Sequence, residues 1–343
     1  MNPYLSFVVA ARNDNYGGDF MHRMQVFLNA WLYLGDKYGL DAELVIVEWN
    51  PPEDRPPLRE ALRWPDGLAP GRIRIVQVPT EIHERIPNAK NMPVFEYIAK
   101  NVGIRRACGD YILASNPDIL FSERLTRYLA AKKLREGCFY VADRYDTATP
   151  IPLDLSVEQQ LRLCAESAFR FHRLGSTVPA RWLPRLRQYL AGKRYLLSPR
   201  WVAGESLRRV RVTLRNEREP LRFRAGWFGD FLLMSAKDWH ALRGFPEIPA
   251  HSHIDAYMVN LAAIAGLRQV IVPDRIYHQE HDRSEQSQRP LTDFYGNPTL
   301  QRMLETRRAE ITNGENWGLW DTDLRSVPLR MIPASEQGSR VAG

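Results

Sequence analysis

Five short apolar runs in the first 142 residues are interleaved with stretches of helical period, and that alternation constrains the chain more than any other feature. Leu5–Ala11, Glu43–Trp49, Arg72–Val78, Tyr111–Ser115 and Cys138–Ala142 read as strands. Phe20–Tyr38, Val94–Cys108 and Glu123–Arg135 repeat their apolar residues at helical spacing. The prolines Pro51-Pro52 stop the second run. Repeated β-α units predict an α/β fold, a mostly parallel sheet with helices on both faces. In such sheets ligands bind beyond the carboxyl ends of the strands.

With 343 residues, the chain is long enough for one large α/β domain or two small ones. No apolar run approaches the ~20 residues of a membrane span, and LSFVVAA near the start is too short for a signal peptide, so a cytoplasmic protein is expected. Cys108, Cys138 and Cys164 are too scattered for a disulfide framework and read as buried, reduced thiols. From Tyr145 to Gly226 sixteen Lys/Arg face seven Asp/Glu, more than accounting for the chain's net charge of +7. Its arginines follow no nucleic-acid motif, so no nucleic acid is expected. A solvated basic surface is the simplest reading, with peripheral attraction to an anionic membrane as the alternative.

The division that follows is a first half over 1–144, a basic, mainly helical insertion over 145–225, a second half over 226–325, and a flexible tail over 326–343. Within the insertion, Ser156–Arg173 and Pro184–Leu190 read as helical and Arg209–Leu214 as a strand. Within the second half, Phe231–Ser235 and Gln269–Pro273 read as strands, and Ala236–Leu242 and Ile254–Ala265 as helices.

Residues 91–122 carry the chemistry. A helix, a glycine turn and a short strand lead to Asn116-Pro117-Asp118, two oxygen-bearing side chains at a strand's carboxyl end. Oxygen ligands spaced i, i+2 can chelate a hard divalent cation together with a diphosphate. KNVGIRRACGDYILASNPD (100–118) resembles the donor segment of GT-A-fold glycosyltransferases, with Asn101, Gly103, Ala107, Gly109 and Tyr111 at matching positions. Gly109 is expected to supply a positive φ after the helix. Asn116 and Asp118 stand at the DxD positions, Asn replacing the first Asp and weakening the expected dependence on metal.

That resemblance implies a nucleotide-sugar donor, most often UDP-linked, held with Mn²⁺ or Mg²⁺. Its donor-binding residues here are Ala11, Arg12, Asp14, Glu48, Asn101, Arg105, Asn116 and Asp118, with Gly17-Gly18 allowing close backbone approach. The second half, GWFGDFLLMSAKDWHALRGFPE, HSHIDAYMVNLAAIAGLR and IYHQEH, resembles the acceptor half of galactosyl- and N-acetylhexosaminyl-transferases of this fold. By that resemblance Asp230 lies near the donor sugar and Asp255 is the base of an inverting transfer to a saccharide or glycoconjugate hydroxyl. His278, following strand Gln269–Pro273 and a turn at Asp274–Tyr277, or His281 three residues on, joins Asp118 on the metal.

Alternatives stay open at this level: a retaining glycosyltransferase, a nucleotidyltransferase, or a catalytically silent nucleotide-sugar-binding module. A zinc site built from His251, His253, His278 and His281 is a further one.

Overall fold

The computed structural model describes residues 2–148, 150–173, 176–179, 228–250, 253–282 and 297–328. The chain begins with β1 (Leu5–Ala11), α1 (Phe20–Tyr38), β2 (Ala42–Trp49), a short α2 (Leu58–Ala61), β3 (Ile73–Val78) and a short α3 (Thr80–His83). Next come α4 (Glu96–Arg106), β4 (Tyr111–Ser115), β5 (Ile119–Phe121), α5 (Glu123–Ala130), β6 (Cys138–Thr147), α6 (Val157–Ser167), β7 (Arg170–Arg173) and β8 (Ser176–Pro179). A 3-10 turn at Phe228–Asp230 then leads into β9 (Phe231–Ser235), α7 (Ala236–Ala241), α8 (Ile254–Ile264), β10 (Arg268–Gln279), α9 (Pro298–Thr306) and β11 (Ser326–Pro328).

All described strands join one sheet, whose main path is β11-β3-β2-β1-β4-β9-β6-β10-β5. Strands β3, β2, β1 and β4 pair in parallel, as do β6 and β10. Strand β9 is antiparallel to both β4 and β6, so the six strands on its two sides all run one way. The fold is α/β with a mostly parallel sheet. Alternate residues of β1 show why both faces are covered. Val8 and Ala10 join a core with α4, α7, α8 and α9, while Phe7, Val9 and Ala11 join another with α1 and α5.

Several expectations change. Helix α6 opens with a capping box between Ser156 and Gln159 but ends at Ser167. The residues beyond it form β7, which pairs with β6; Arg170 and His172 both turn onto Asp146 of β6. The described part of the basic segment is therefore one helix and a hairpin rather than mainly helical. The helix expected at 184–190 and the strand expected at 209–214 lie outside the described residues. Residues 326–328 are an edge strand on β3 rather than a frayed tail, and Cys108 is exposed while Cys138 and Cys164 are buried.

Gly109 does not have a positive φ. A Cβ there would lie 2.6 Å from the Ser6 nitrogen, so the glycine serves close approach to β1. Gly103 has the same role on α4, where a Cβ would lie 2.4 Å from Val8 Cγ1.

Candidate active site

Asn116, Pro117 and Asp118 leave the carboxyl end of β4, but the two polar side chains part company. Asn116 Nδ2 donates to Asp230 Oδ1 at 2.8 Å. Asp118 faces the other way, toward the end of β10, with Oδ2 lying 3.7 Å from His278 Nε2 and 3.5 Å from His281 Nε2. The pair expected to chelate together is thus divided between two neighbouring clusters. One expectation changes here: β10 runs on through Gln279 past an irregularity between Ile271 and Arg275, so the turn expected at Asp274–Tyr277 is strand and His278 sits on that strand rather than after it.

The ligand atoms of Asp118, His278 and His281 lie within 4.8 Å of one another. Bonds of about 2.1 Å put donor atoms about 3.0 Å apart at the octahedral angles of Mn²⁺ or Mg²⁺ and about 3.4 Å apart at tetrahedral ones, so a small closing of the spacings above would bring the three onto one ion. Asp118 Oδ1 is buried with no hydrogen-bond partner among the described residues, as a carboxylate awaiting a cation would be. The tautomer of His281 also fits. His281 Nδ1 lies 2.8 Å from the carbonyl of Asp282. A carbonyl only accepts, so Nδ1 carries the proton and the Nε2 lone pair is left for Asp118's side. Burial, together with His278, keeps the His281 pKa below its ordinary value despite Asp118. His278 turns Nε2 toward Asp118, while its Nδ1 lies 3.1 Å from Asp146 Oδ1, an acceptor, and 3.0 Å from an Arg144 nitrogen, a donor. Burial and Arg144 alone would lower the His278 pKa; Asp118, Asp146 and Glu280 reverse that and raise it.

A second group, Asp146, His278 and Glu280, is equally compact but already neutralised. Asp146 accepts from Arg144, Arg170 and His172, and Arg170 also reaches Glu280 at 2.6 Å. A divalent ion there would have to displace two guanidinium groups. The fit therefore belongs to Asp118, His278 and His281. His253, by contrast, is an exposed residue at the start of α8 and outside both groups, and His251 lies outside the described residues.

Beside the triad stands a cluster of acids. Arg144, buried on β6, donates to Asp230 Oδ2 at 2.6 Å and to Asp146 at 2.7 Å, and its third nitrogen lies 3.0 Å from His278. Burial would raise the Asp230 carboxyl; Arg144, His278 and Lys100 hold it down at about 2. Lys100 of α4 is fully buried and donates to the Gly229 carbonyl at 2.8 Å. On its other side Gly229 donates its N–H to Asp255 Oδ2 at 2.9 Å. Asp255, in the first turn of α8, is partly exposed. Burial raises its pKa, and Glu96 and Asp230 push the same way against the N–H groups of Ala256 and Gly229. One carboxylate is thus fixed as an anion beside another that holds its proton more tightly, the division that acid–base chemistry requires.

The remaining expected donor residues sort by strand end. Ala11 closes β1 opposite Glu48 at the end of β2. Arg12 pairs with Asp14 at 3.0 Å and donates to the Asn50 carbonyl, while Asp14 accepts from the Tyr16 N–H. Glu48 is buried and accepts from the Leu58 N–H at 2.7 Å, so it anchors the turn into α2, and burial raises its pKa. Asn101 and Arg105 stand apart from both clusters. Asn101 exchanges hydrogen bonds with Phe245 and reaches Glu247, tying α4 to the turn after α7. Arg105 stacks on Trp317 and Trp320. Both are engaged in packing, because α4 runs away from the carboxyl edge as it goes from Glu96 to Arg106.

Arg23, Lys100, Arg144 and Asp146 had not been singled out. Arg23 and Lys100 are charges set in apolar helical stretches, which was the available signal; Arg144 and Asp146 follow an apolar strand and carry no such signal, since Arg144 meets Asp230 and His278 only in the fold.

No family model matches the chain and no curated protein matches it. Solved structures with a related chain path include the catalytic domain of Drosophila beta1,4-galactosyltransferase 7 in complex with xylobiose, at 10% identity and TM-score 0.34, covering 90% of this chain and 82% of that one. S. aureus TarS 1-349 matches at 14% identity and TM-score 0.43, covering 93% and 68%. Its complex with UDP-GlcNAc gives 12% and 0.41, covering 93% and 69%. Likeness at this level settles neither family nor substrate.

Proposed function

We propose that the protein is a glycosyltransferase that moves a sugar from a UDP-linked donor to an acceptor hydroxyl, with inversion. The carrying observation is the meeting of Asp118, His278 and His281, one carboxylate oxygen unpartnered, beside the ionised Asp230 and the higher-pKa Asp255. These residues gather beyond the carboxyl ends of parallel strands, where α/β sheets bind nucleotides. Asp118, His278 and His281 would hold a divalent cation, which supplies charge neutralisation for a leaving diphosphate. Two imidazoles beside one carboxylate favour Mn²⁺ over Mg²⁺, which prefers oxygen.

Asp255 acts as general base. Its carboxylate takes the acceptor hydroxyl's proton while the hydroxyl oxygen forms the bond to the anomeric carbon. The bond from that carbon to the diphosphate oxygen breaks, and its electron pair leaves with UDP. Asp230, aimed by Arg144 and Asn116, is an acceptor for the donor sugar's hydroxyls. Arg12 and Asp14, in the loop after β1, face the nucleotide.

Calorimetry with UDP, with and without Mn²⁺, tests this reading, followed by a screen of UDP-sugars for hydrolysis. Mn²⁺ should tighten UDP at least tenfold, and Asp118→Ala should remove that gain. Absence of nucleotide binding would refute the proposal.

A further inference from the structure

Taking the loop after β1 as the nucleotide loop, we infer that Gly17 and Tyr16 are positioning residues for His281, so that nucleotide and metal each favour the other's binding through a protein contact. The loop and the end of β10 are locked together. Gly17 has φ +67°, and the space a Cβ would fill holds the His281 ring: Nδ1 would be 2.4 Å away and the Asp282 carbonyl oxygen 2.8 Å away. The Asp282 N–H donates to the Gly17 carbonyl at 3.2 Å. Tyr16 meets the His281 ring edge-on, with centroids 5.2 Å apart.

Behind this contact Arg23 of α1, buried, donates to the carbonyls of both Tyr16 and Gly18. Gln279 donates to the carbonyls of Arg23 and Asp118. The loop that would meet the nucleotide and the strand end that would meet the cation therefore share side chains.

The physical consequence follows from the tautomer. His281 offers Nε2 because its Nδ1–H is tied to the Asp282 carbonyl, and that carbonyl and the ring both rest on Gly17. Displacing the loop releases the ring and weakens the triad. Filling the triad orders the ring and, through it, the loop. Such coupling is reciprocal: whatever factor Mn²⁺ adds to nucleotide affinity, the nucleotide adds to Mn²⁺ affinity.

Uridine separates this coupling from direct coordination, because it has no phosphate to bind the ion. In the wild-type protein Mn²⁺ should tighten uridine about fivefold or more. Gly17→Ala should reduce that gain below twofold and weaken Mn²⁺ alone about tenfold, the usual effect of losing a ligand's supporting contact. Gly39→Ala, at the far end of α1, is the control: its φ of +62° brings the same backbone strain, but no atom lies within 4 Å of its Cβ position. It should keep both the coupling and the Mn²⁺ affinity. Tyr16→Leu, which adds no backbone strain, should lower the coupling without unfolding the chain.

A uridine affinity indifferent to Mn²⁺, in a protein whose UDP affinity does respond, overturns the coupling and leaves the functional reading intact. Equal effects of Gly39→Ala and Gly17→Ala also overturn it. Loss of all UDP binding in the wild-type protein defeats the functional reading and the coupling together.

Discussion

Replacing Asn116 by aspartate, the residue that the DxD pattern would place there, should harm this protein. In the structure the Asn116 amide donates to Asp230 Oδ1 at 2.8 Å, and Asp230 is held ionised, with a pKa of about 2. Asn116→Asp exchanges a donor for a second anion. Two unit charges 2.8 Å apart repel by about 6 kcal/mol at an effective dielectric near 20. Arg144 and Lys100 offset much of this, and residue 116 is only partly buried, so roughly 2 kcal/mol survives. Loss of a hydrogen bond to a charged acceptor adds about 1 kcal/mol. A total near 3 kcal/mol at pH 7.5 corresponds to a urea midpoint lower by about 1 M at a slope of roughly 3 kcal/mol/M.

The sign of the pH effect is set by the raised pKa of the new carboxyl. Its folded-state pKa exceeds its unfolded value of about 3.9, so the folded variant retains a proton that the unfolded chain releases. Below about pH 4 the protonated carboxyl can donate to Asp230 as the amide does, and the penalty vanishes. As pH rises through the folded pKa the penalty grows to its full value. Urea unfolding of wild type and variant at pH 4 and pH 7.5 should therefore show midpoints that converge at the lower pH and separate at the higher. Equal midpoints at pH 7.5, or a larger gap at pH 4, would refute the reasoning.

Asp255→Asn should leave UDP affinity within twofold and lower transfer by about 10²–10⁴-fold. In the wild-type protein kcat/KM for the proposed transfer should fall as pH drops through the Asp255 pKa, with the acid limb above an ordinary aspartate's because burial raises that group; a limb at or below the ordinary value counts against the base assignment. Gly109→Ala, whose Cβ meets backbone atoms of Leu5 and Ser6, should lower stability by about 1–3 kcal/mol in thermal or urea unfolding. An unchanged midpoint would show that the β1–β4 edge relaxes freely.

Much of the sheet half was legible before folding. The strands Leu5–Ala11, Tyr111–Ser115 and Phe231–Ser235 coincide with apolar runs, because a strand buried on both faces must be apolar throughout. Helix α4 was legible in extent but not in use. Its hydrophobic pattern does not show which of its polar residues face the site. Lys100 meets Gly229 there, whereas Asn101, its neighbour, turns to Phe245.

The seven-residue β1 and the helix at 20–38 were readable because periodicity is a local property, imposed by backbone geometry on neighbouring residues. Local pattern also delivered Asp118 as a candidate, and the family resemblance added His278 and His281. Only the tertiary structure decided that Asp118 turns to the histidines while Asn116 turns to Asp230, two residues apart and on different partners. It also decided that Arg144 and Asp146, unremarkable at the end of an apolar strand, hold those partners in place. Such choices depend on which charges the fold brings within about 4 Å of one another, where electrostatic energies become large. Apart from Arg144 with Asp146, these partners stand 86 or more positions apart in the chain, and no local pattern records them.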